Sequence, residues 1–272
     1  MTRLGQHFLA DPHLLRTIVA ALDPRQSDVV LEIGPGTGNL TRVVAPQVRR
    51  VIAIEKDRRL AAELGTRNAE GGTGNVEVVE GDALQMDWHA LLDTRPTVPR
   101  SAFRVPTFKV IGNIPYYITS PLIAKALTPP RPERVVLLVQ REVADRLAAR
   151  PGSKQYGALS VGVQAVCGVE KLLRVRAGAF RPPPKVDSTL VRLTPLPRPL
   201  VGPDETAAFR AFVTACFSRR RKQLRNAVMA ATGKPATAVS ALLAAQGLDP
   251  GARPERVAPE DFARLLRGSR QL

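Results

Sequence analysis

Cysteine is scarce in this chain. Only Cys167 and Cys216 occur in 272 residues, far apart and each in an apolar run. They read as small core side chains, which excludes a disulfide framework or a thiolate metal site. The three histidines, His7, His13 and His89, share no metal-ligand spacing, so no metal is expected. No run reaches the ~18 apolar residues of a membrane span. The opening "MTRLGQHFLADPHLL" lacks the apolar segment of a signal peptide, so a cytoplasmic chain with no membrane attachment is expected. Acidic residues are few: 24 against 40 lysines and arginines, for a net charge of +16. Such a field favours a polyanionic partner, nucleic acid above all, over a basic surface kept for solubility. No feature suggests a dimer, and a monomer is expected.

Apolar β-branched runs are present and evenly placed. "DVVLEI" (28–33), "VIAIE" (51–55), "NVEVVE" (75–80), "FKVIG" (108–112) and "RVVLLVQ" (134–140) read as strands. Helical patterns separate them, which predicts a parallel sheet covered on both faces. "REVADRLAAR" continues as a helix. "ALSVGVQAVCGVEKLLRV" and "DSTLVRL" are expected as two final strands around "FRPPPKV" (180–186). The proline-rich stretch 194–205 reads as a linker. Beyond it only helices are expected: Phe209, Phe212, Val213, Cys216, Phe217, Leu224, Ala227 and Val228 fit one face at 3.6 spacing. The expected division is a catalytic domain over 1–198 and a helical domain over 199–272.

"VLEIGPGTGNLT" brings Gly34, Gly36 and Gly38 between a predicted strand and a predicted helix. Glycines there permit a tight turn and close approach of backbone to a ligand. The next strand ends in Glu55, where a carboxylate can accept the hydroxyls of a ribose. The third ends in "EGDA", with Asp82 at its carboxyl edge. Ligands of open α/β sheets bind along those edges. The pattern points to an adenosine-containing cofactor, either NAD or S-adenosylmethionine, and the fourth strand decides between them.

That strand runs into "KVIGNIPYYITSPLI" (109–123), which has no carboxylate, histidine or thiol. Asn113, Ile114, Pro115 and Tyr116 stand at its end. The Asn113 side-chain oxygen and the Ile114 carbonyl can accept the two hydrogens of a planar amino group, with Pro115 fixing the backbone and Tyr116 stacking on the ring. Such a site suits methylation of an adenine N6 amine. The sulfonium methyl of S-adenosylmethionine is already a strong electrophile, and the methylated nitrogen is acidic. Positioning and electrostatics can therefore carry the catalysis.

"GQHFL" (5–9), "LEIGPGTGNLT" (31–41), "EKD" (55–57), "GDAL" (81–84), "GNIPYYITSPL" (112–122), "LVQREVADRL" (138–147), "AFRPPPKVDSTLVRL" (179–193) and "FSRRRKQLRNAV" (217–228) occur in this order. Together they resemble the rRNA adenine N6,N6-dimethyltransferases, and among these the bacterial group acting on small-subunit rRNA. The resemblance implies a Rossmann-like methyltransferase sheet with a small all-helical C-terminal domain. It implies S-adenosylmethionine as cofactor, and dimethylation of two adjacent adenosines near the 3′ end of that RNA within a small-subunit assembly intermediate. Cofactor contacts carried over are His7, Leu9, Gly34, Glu55, Asp82 and Asn113, and the glycine loop adds Gly36. Phe180 matches an aromatic that closes on the target base opposite Tyr116. The family more often has Asn where this chain has His7, and the basic segment frequent before "GQHFL" is nearly absent. A sister enzyme acting on large-subunit rRNA shares the Asn-Ile-Pro-Tyr site, but "FSRRRKQLRN" and "GQHFL" favour the small-subunit group. An intact cofactor loop argues against a purely RNA-binding assembly factor. Arg219, Arg220, Arg221, Lys222 and Arg225 crowd one segment, and residues 206–234 contain no acidic partner. These five are expected to grip rRNA phosphates.

Overall fold

The computed structural model describes residues 7–71, 74–92, 107–218 and 222–271. By contact density the chain forms two compact units, Met1–Ala144 with Glu170–Thr194, and Asp145–Val169 with Pro195–Leu272.

The first unit begins with a short strand β1 (Phe8–Leu9) and helix α1 (Pro12–Leu22). Asp11 caps α1, its carboxylate accepting from the His13 and Leu14 amides at 2.8 and 3.2 Å, and Pro12 sits in the first turn where its missing N–H is harmless. There follow β2 (Val29–Ile33), α2 (Asn39–Val44), β3 (Arg50–Glu55), α3 (Arg58–Glu70), β4 (Val76–Glu80), α4 (Trp88–Leu92), β5 (Phe108–Asn113), α5 (Thr119–Ala126) and β6 (Arg134–Gln140). Next along the chain come α6 (Arg141–Leu147), then α7 (Ala158–Gln164), which lies in the second unit, and β7 (Cys167–Val175), β8 (Phe180–Arg181) and β9 (Ser188–Pro195).

Seven strands form one sheet in the order β4-β3-β2-β5-β6-β9-β7. The first five run parallel, and β9 lies antiparallel to β6. Every residue of β2 is buried, as expected of a central strand covered on both faces. Leu31 pairs with Ile52 on one side and Val110 on the other. Chain order reverses beside β2, since β3 lies to one side and β5 to the other. A crevice opens at such a switch point, outside the carboxyl ends of the strands. A separate antiparallel pair joins β1 to β8, with Leu9 opposite Phe180.

Three sequence expectations change. "ALSVGVQAVCGVEKLLRV" is not one strand: Ala158–Gln164 is α7 and only Cys167–Val175 is β7. Ser160 Oγ accepts the Gly157 amide at 3.2 Å, and Ser160, Val161 and Val163 face inward, so the local capping and packing favour a helix. Second, the stretch after Pro195 is held rather than free: the Leu196 and Leu200 amides bond the Val166 and Ala165 carbonyls at 2.9 and 2.8 Å. The units divide at Thr194/Pro195 rather than at 198, and residues 145–169 cluster with the helical unit. There the Tyr156 hydroxyl donates to the Val257 carbonyl at 2.8 Å.

Third, the apolar face over 209–228 belongs to two helices, α8 (Thr206–Phe217) and α9 (Leu224–Thr232). The Leu224 and Arg225 amides donate to the Ala252 and Pro250 carbonyls at 2.7 and 3.2 Å, so a fresh N-terminus forms there. α10 (Ala236–Ala245) and α11 (Pro259–Ser269) complete the second unit. Among the described residues no single helix is long and apolar enough to cross a membrane.

Candidate active site

The glycine loop follows β2. Gly34, Gly36 and Gly38 all have positive φ, at 66°, 57° and 78°. A side chain at Gly36 would be strained, and its Cβ would fall 2.7 Å from the Phe8 ring. The loop therefore has glycine where strap residue Phe8 packs onto it.

Glu55 ends β3 and is buried at 3% exposure. Its two oxygens accept from the Gly36 amide at 3.0 Å and the Asp57 amide at 2.9 Å. Each carboxylate oxygen has a second lone pair, so the pinned group can still accept hydroxyl hydrogens. Asp82, beyond β4, accepts the Leu84 amide at 2.9 Å and the Lys56 ammonium at 2.8 Å. These two bonds, Lys56 first, hold its carboxyl below the usual carboxylate range. Glu32, inside β2, lines the same cleft, and its Oε2 is buried with no hydrogen-bond partner among the described residues. Burial, with a smaller push from Glu55 and a partial offset from Thr41, raises its pKa to about 7.

Asn113 ends β5. Its Nδ2 donates to the His7 carbonyl at 2.7 Å, which fixes the amide orientation and leaves Oδ1 as an acceptor. Ile114, Pro115 and Tyr116 line the cleft after it. The Tyr116 hydroxyl bonds Ser188 Oγ at 2.8 Å, and burial raises its pKa, so the phenol stays neutral. Tyr117 stands at the cleft, 63% exposed. His7, Phe8 and Leu9 form a strap along one wall, with the Leu9 carbonyl accepting from Asn39 Nδ2 at 2.9 Å.

The cleft thus gathers His7, Leu9, Gly34, Gly36, Glu55, Asp82, Asn113, Ile114, Pro115 and Tyr116. Phe180 is the exception. It is 1% exposed, packed in the core with Leu9 and Val175, and does not line the cleft. Strand alternation explains this: β8 points Phe180 inward and Arg181 outward. Arg219, Arg220 and Arg221 lie outside the described residues. Lys222 is exposed, whereas Arg225 is half-buried, with its Nε cut off from solvent and meeting no hydrogen-bond partner among the described residues. Sequence reasoning assigned no role to Glu32, Lys56, Phe8, Asn39 or Ser188. Lys56 follows Glu55 directly, which could have flagged it; Ser188 is brought to Tyr116 only by the fold.

An adenosine-bearing sulfonium cofactor fits this donor set. Glu55 offers spare lone pairs at a strand end, the glycine loop keeps its backbone accessible, and the orphaned Glu32 oxygen would welcome a cation nearby. The profile of the family described as "Ribosomal RNA adenine dimethylase" matches residues 1–267. A protein of Moorella thermoacetica named "Ribosomal RNA small subunit methyltransferase A" is 41% identical over 97% of this chain and 90% of its own length. A solved dimethyladenosine transferase of Plasmodium falciparum is 31% identical, with a TM-score of 0.77 over 95% of this chain and 96% of that one. The solved 23S rRNA methyltransferase ErmE is 30% identical, with a TM-score of 0.71 over 97% of this chain and 100% of that one.

Proposed function

The chain belongs to the ribosomal RNA adenine dimethylase family, and from that premise we propose how it works and on what. It is an S-adenosylmethionine-dependent rRNA adenine N6,N6-dimethyltransferase, and its substrate is a pair of adjacent adenosines in the 3′-terminal hairpin of small-subunit rRNA. Glu55, Asp82, the glycine loop and the strap His7–Leu9 hold the cofactor, which when bound supplies an electrophilic methyl group on sulfur.

The observation that carries the reading is the Asn113 amide. With one Nδ2 hydrogen given to the His7 carbonyl, which orients the amide, Oδ1 accepts one N6–H of the target, and the Ile114 carbonyl accepts the other. Withdrawing both hydrogens toward oxygen returns electron density to a nitrogen whose lone pair is otherwise delocalised into the purine. Tyr116, steadied by Ser188, stacks on the base. Phe180 has no part in this arrangement because it is buried in the core. Lys222 and the adjoining Arg219–Arg221 grip rRNA phosphates. Arg225, half-buried, contributes less. The RNA is met as part of a small-subunit assembly intermediate, by a monomer in the cytoplasm.

The test is incubation of the chain with labelled cofactor and small-subunit particles lacking the modification. The expected product is N6,N6-dimethyladenosine at two neighbouring 3′-terminal positions, read by primer extension and mass spectrometry. Monomethyladenosine alone at exhaustion, or label on large-subunit rRNA only, would contradict the reading.

A further inference from the structure

The cleft described above stands at the carboxyl ends of β2 to β5. A second cavity, of about 400 Å³, opens at the carboxyl end of the next strand in the sheet, β6. Its walls all belong to the first unit. Gln140 ends β6, Arg141 and Glu142 open α6, Arg174 comes from β7, and Lys185 and Asp187 come from the segment before β9. The sheet sets this hollow next to the cleft. Asn113 pairs with Leu138 of β6, two residues before Gln140, and Gln140 pairs with Ser188 of β9. Ser188 Oγ is the group that meets the Tyr116 hydroxyl at 2.8 Å. Asp187, on the cavity wall, is therefore one residue from the support of Tyr116.

The charges of the cavity are unequal. Three cations, Arg141, Arg174 and Lys185, face two carboxylates, Glu142 and Asp187, an excess of one positive charge. Asp187 is already committed. It accepts Arg174 Nε and Nη2 at 2.9 and 2.7 Å and the Ala177 amide at 3.0 Å. Those bonds, Arg174 first, hold its carboxyl below the usual carboxylate range, so it stays ionised and occupied. Arg141 reaches Asp187 through the main chain, its amide donating to the Asp187 carbonyl at 3.0 Å. The Arg141 guanidinium and the Lys185 ammonium are exposed, and neither forms a hydrogen bond or ion pair among the described residues. A phosphodiester carries one negative charge and presents only acceptors, which matches two free donor groups and one uncompensated charge.

Resting on the reaction proposed above, we propose that this cavity is a phosphate seat for the substrate RNA, in which Arg141 and Lys185 hold a backbone phosphate flanking the target adenosine. A base that leaves its stack to lie on Tyr116 brings the phosphates on either side of it to this edge of the sheet. Contacts to phosphate fix register and orientation without reading sequence. The seat belongs to the catalytic unit, apart from the Arg219–Lys222 segment, and its effect falls on the placement of the base more than on overall affinity. Arg141 and Lys185 are exposed and the Arg141–Asp187 bond is made by the main chain, so both side chains can be changed without disturbing the fold. Arg174 is unsuited to the test, because its loss would strip Asp187 of its partner.

The test pairs Arg141→Gln with Lys185→Gln and uses small-subunit particles rebuilt with a synthetic 3′ rRNA segment. In that segment the phosphates beside the two adenosines are replaced, one at a time, by neutral methylphosphonates. At saturating particles and cofactor, one of these replacements should slow single-turnover methylation by the wild-type chain about ten- to hundredfold. The double variant should be slowed by a similar factor on unaltered RNA, and no further by that same methylphosphonate, because the contact is already lost. Its salt slope for particle binding should flatten by about 0.7–0.9 log units per lost contact, with calorimetric cofactor affinity as in wild type. A double variant with the wild-type rate and salt slope overturns the proposal. So does a double variant whose loss multiplies with that of the methylphosphonate at every position. A wild-type chain that binds the particles but makes no dimethyladenosine overturns the reaction instead, and the two salt slopes then decide whether the seat meets phosphate.

Discussion

Replacing Glu32 by Gln should make the protein more stable at alkaline pH and leave it nearly unchanged at acid pH. Glu32 is 1% exposed, and one of its oxygens has no partner among the described residues. Burial, the main cause, carries its pKa from 4.5 to about 7. At 1.36 kcal/mol per pH unit, that amounts to roughly 3 kcal/mol. In the window from 4.5 to about 7 the folded chain keeps a proton that the unfolded chain has already lost. Stability therefore falls as pH rises through the window. Below it the carboxyl is neutral in both states, and above it the full penalty is present. Glutamine is neutral throughout. Denaturant titrations of wild type and Glu32→Gln should give similar midpoints near the lower edge of the window. Above the upper edge the variant should be more stable by up to roughly 3 kcal/mol. Saturating S-adenosylmethionine should shrink that gap, because a cation in the cleft favours ionised Glu32. A gap of the same size at both pH values would refute the reasoning.

Glu55→Ala should weaken S-adenosylmethionine binding about tenfold or more, since charge-assisted bonds contribute about 1.5–3 kcal/mol each; calorimetry on the folded variant checks this. Asn113→Ala should lower the single-turnover rate by about 10²–10³ at saturating cofactor, with RNA affinity changed far less. Replacing Arg219, Arg220 and Lys222 together with Gln should weaken rRNA binding and flatten its salt dependence by about 0.7–0.9 log units per lost phosphate contact. Cofactor affinity should stay as in wild type, and an unchanged salt slope would move the RNA surface elsewhere.

The central strands were legible because "VVLEI" and its counterparts are continuous apolar β-branched runs, and only a strand buried on both faces needs those. That these residues would share one cleft was legible for a related reason: Gly34, Glu55, Asp82 and Asn113 each stand where such a run stops. Other features depended on partners distant in sequence. The break before Leu224 is set by carbonyls of residues 250 and 252, which no local pattern reveals. "ALSVGVQAV" carries β-branched residues at spacings that suit either a helix or a strand, and packing within the helical unit decided it. Phe180 was misplaced because a two-residue strand is too short for alternation to be read from sequence. Glu32 was passed over because, within an apolar run, it looked like part of the motif rather than a buried acid.

The strap that walls the cleft also bears on when the cleft can form. His7 bonds Pro182 across 175 residues of chain, and Asn113 reaches back to His7 across 106. Closing loops that long carries an entropic penalty before any contact rewards it, and contacts of high sequence separation slow folding. The sheet from β2 to β6 can assemble from nearer neighbours, so the strap is the last wall to be set. A nascent chain shorter than about 182 residues has no partner for its first strand. The cleft, including the Asn113 amide orientation that the strap imposes, is thus completed only once most of the polypeptide has emerged.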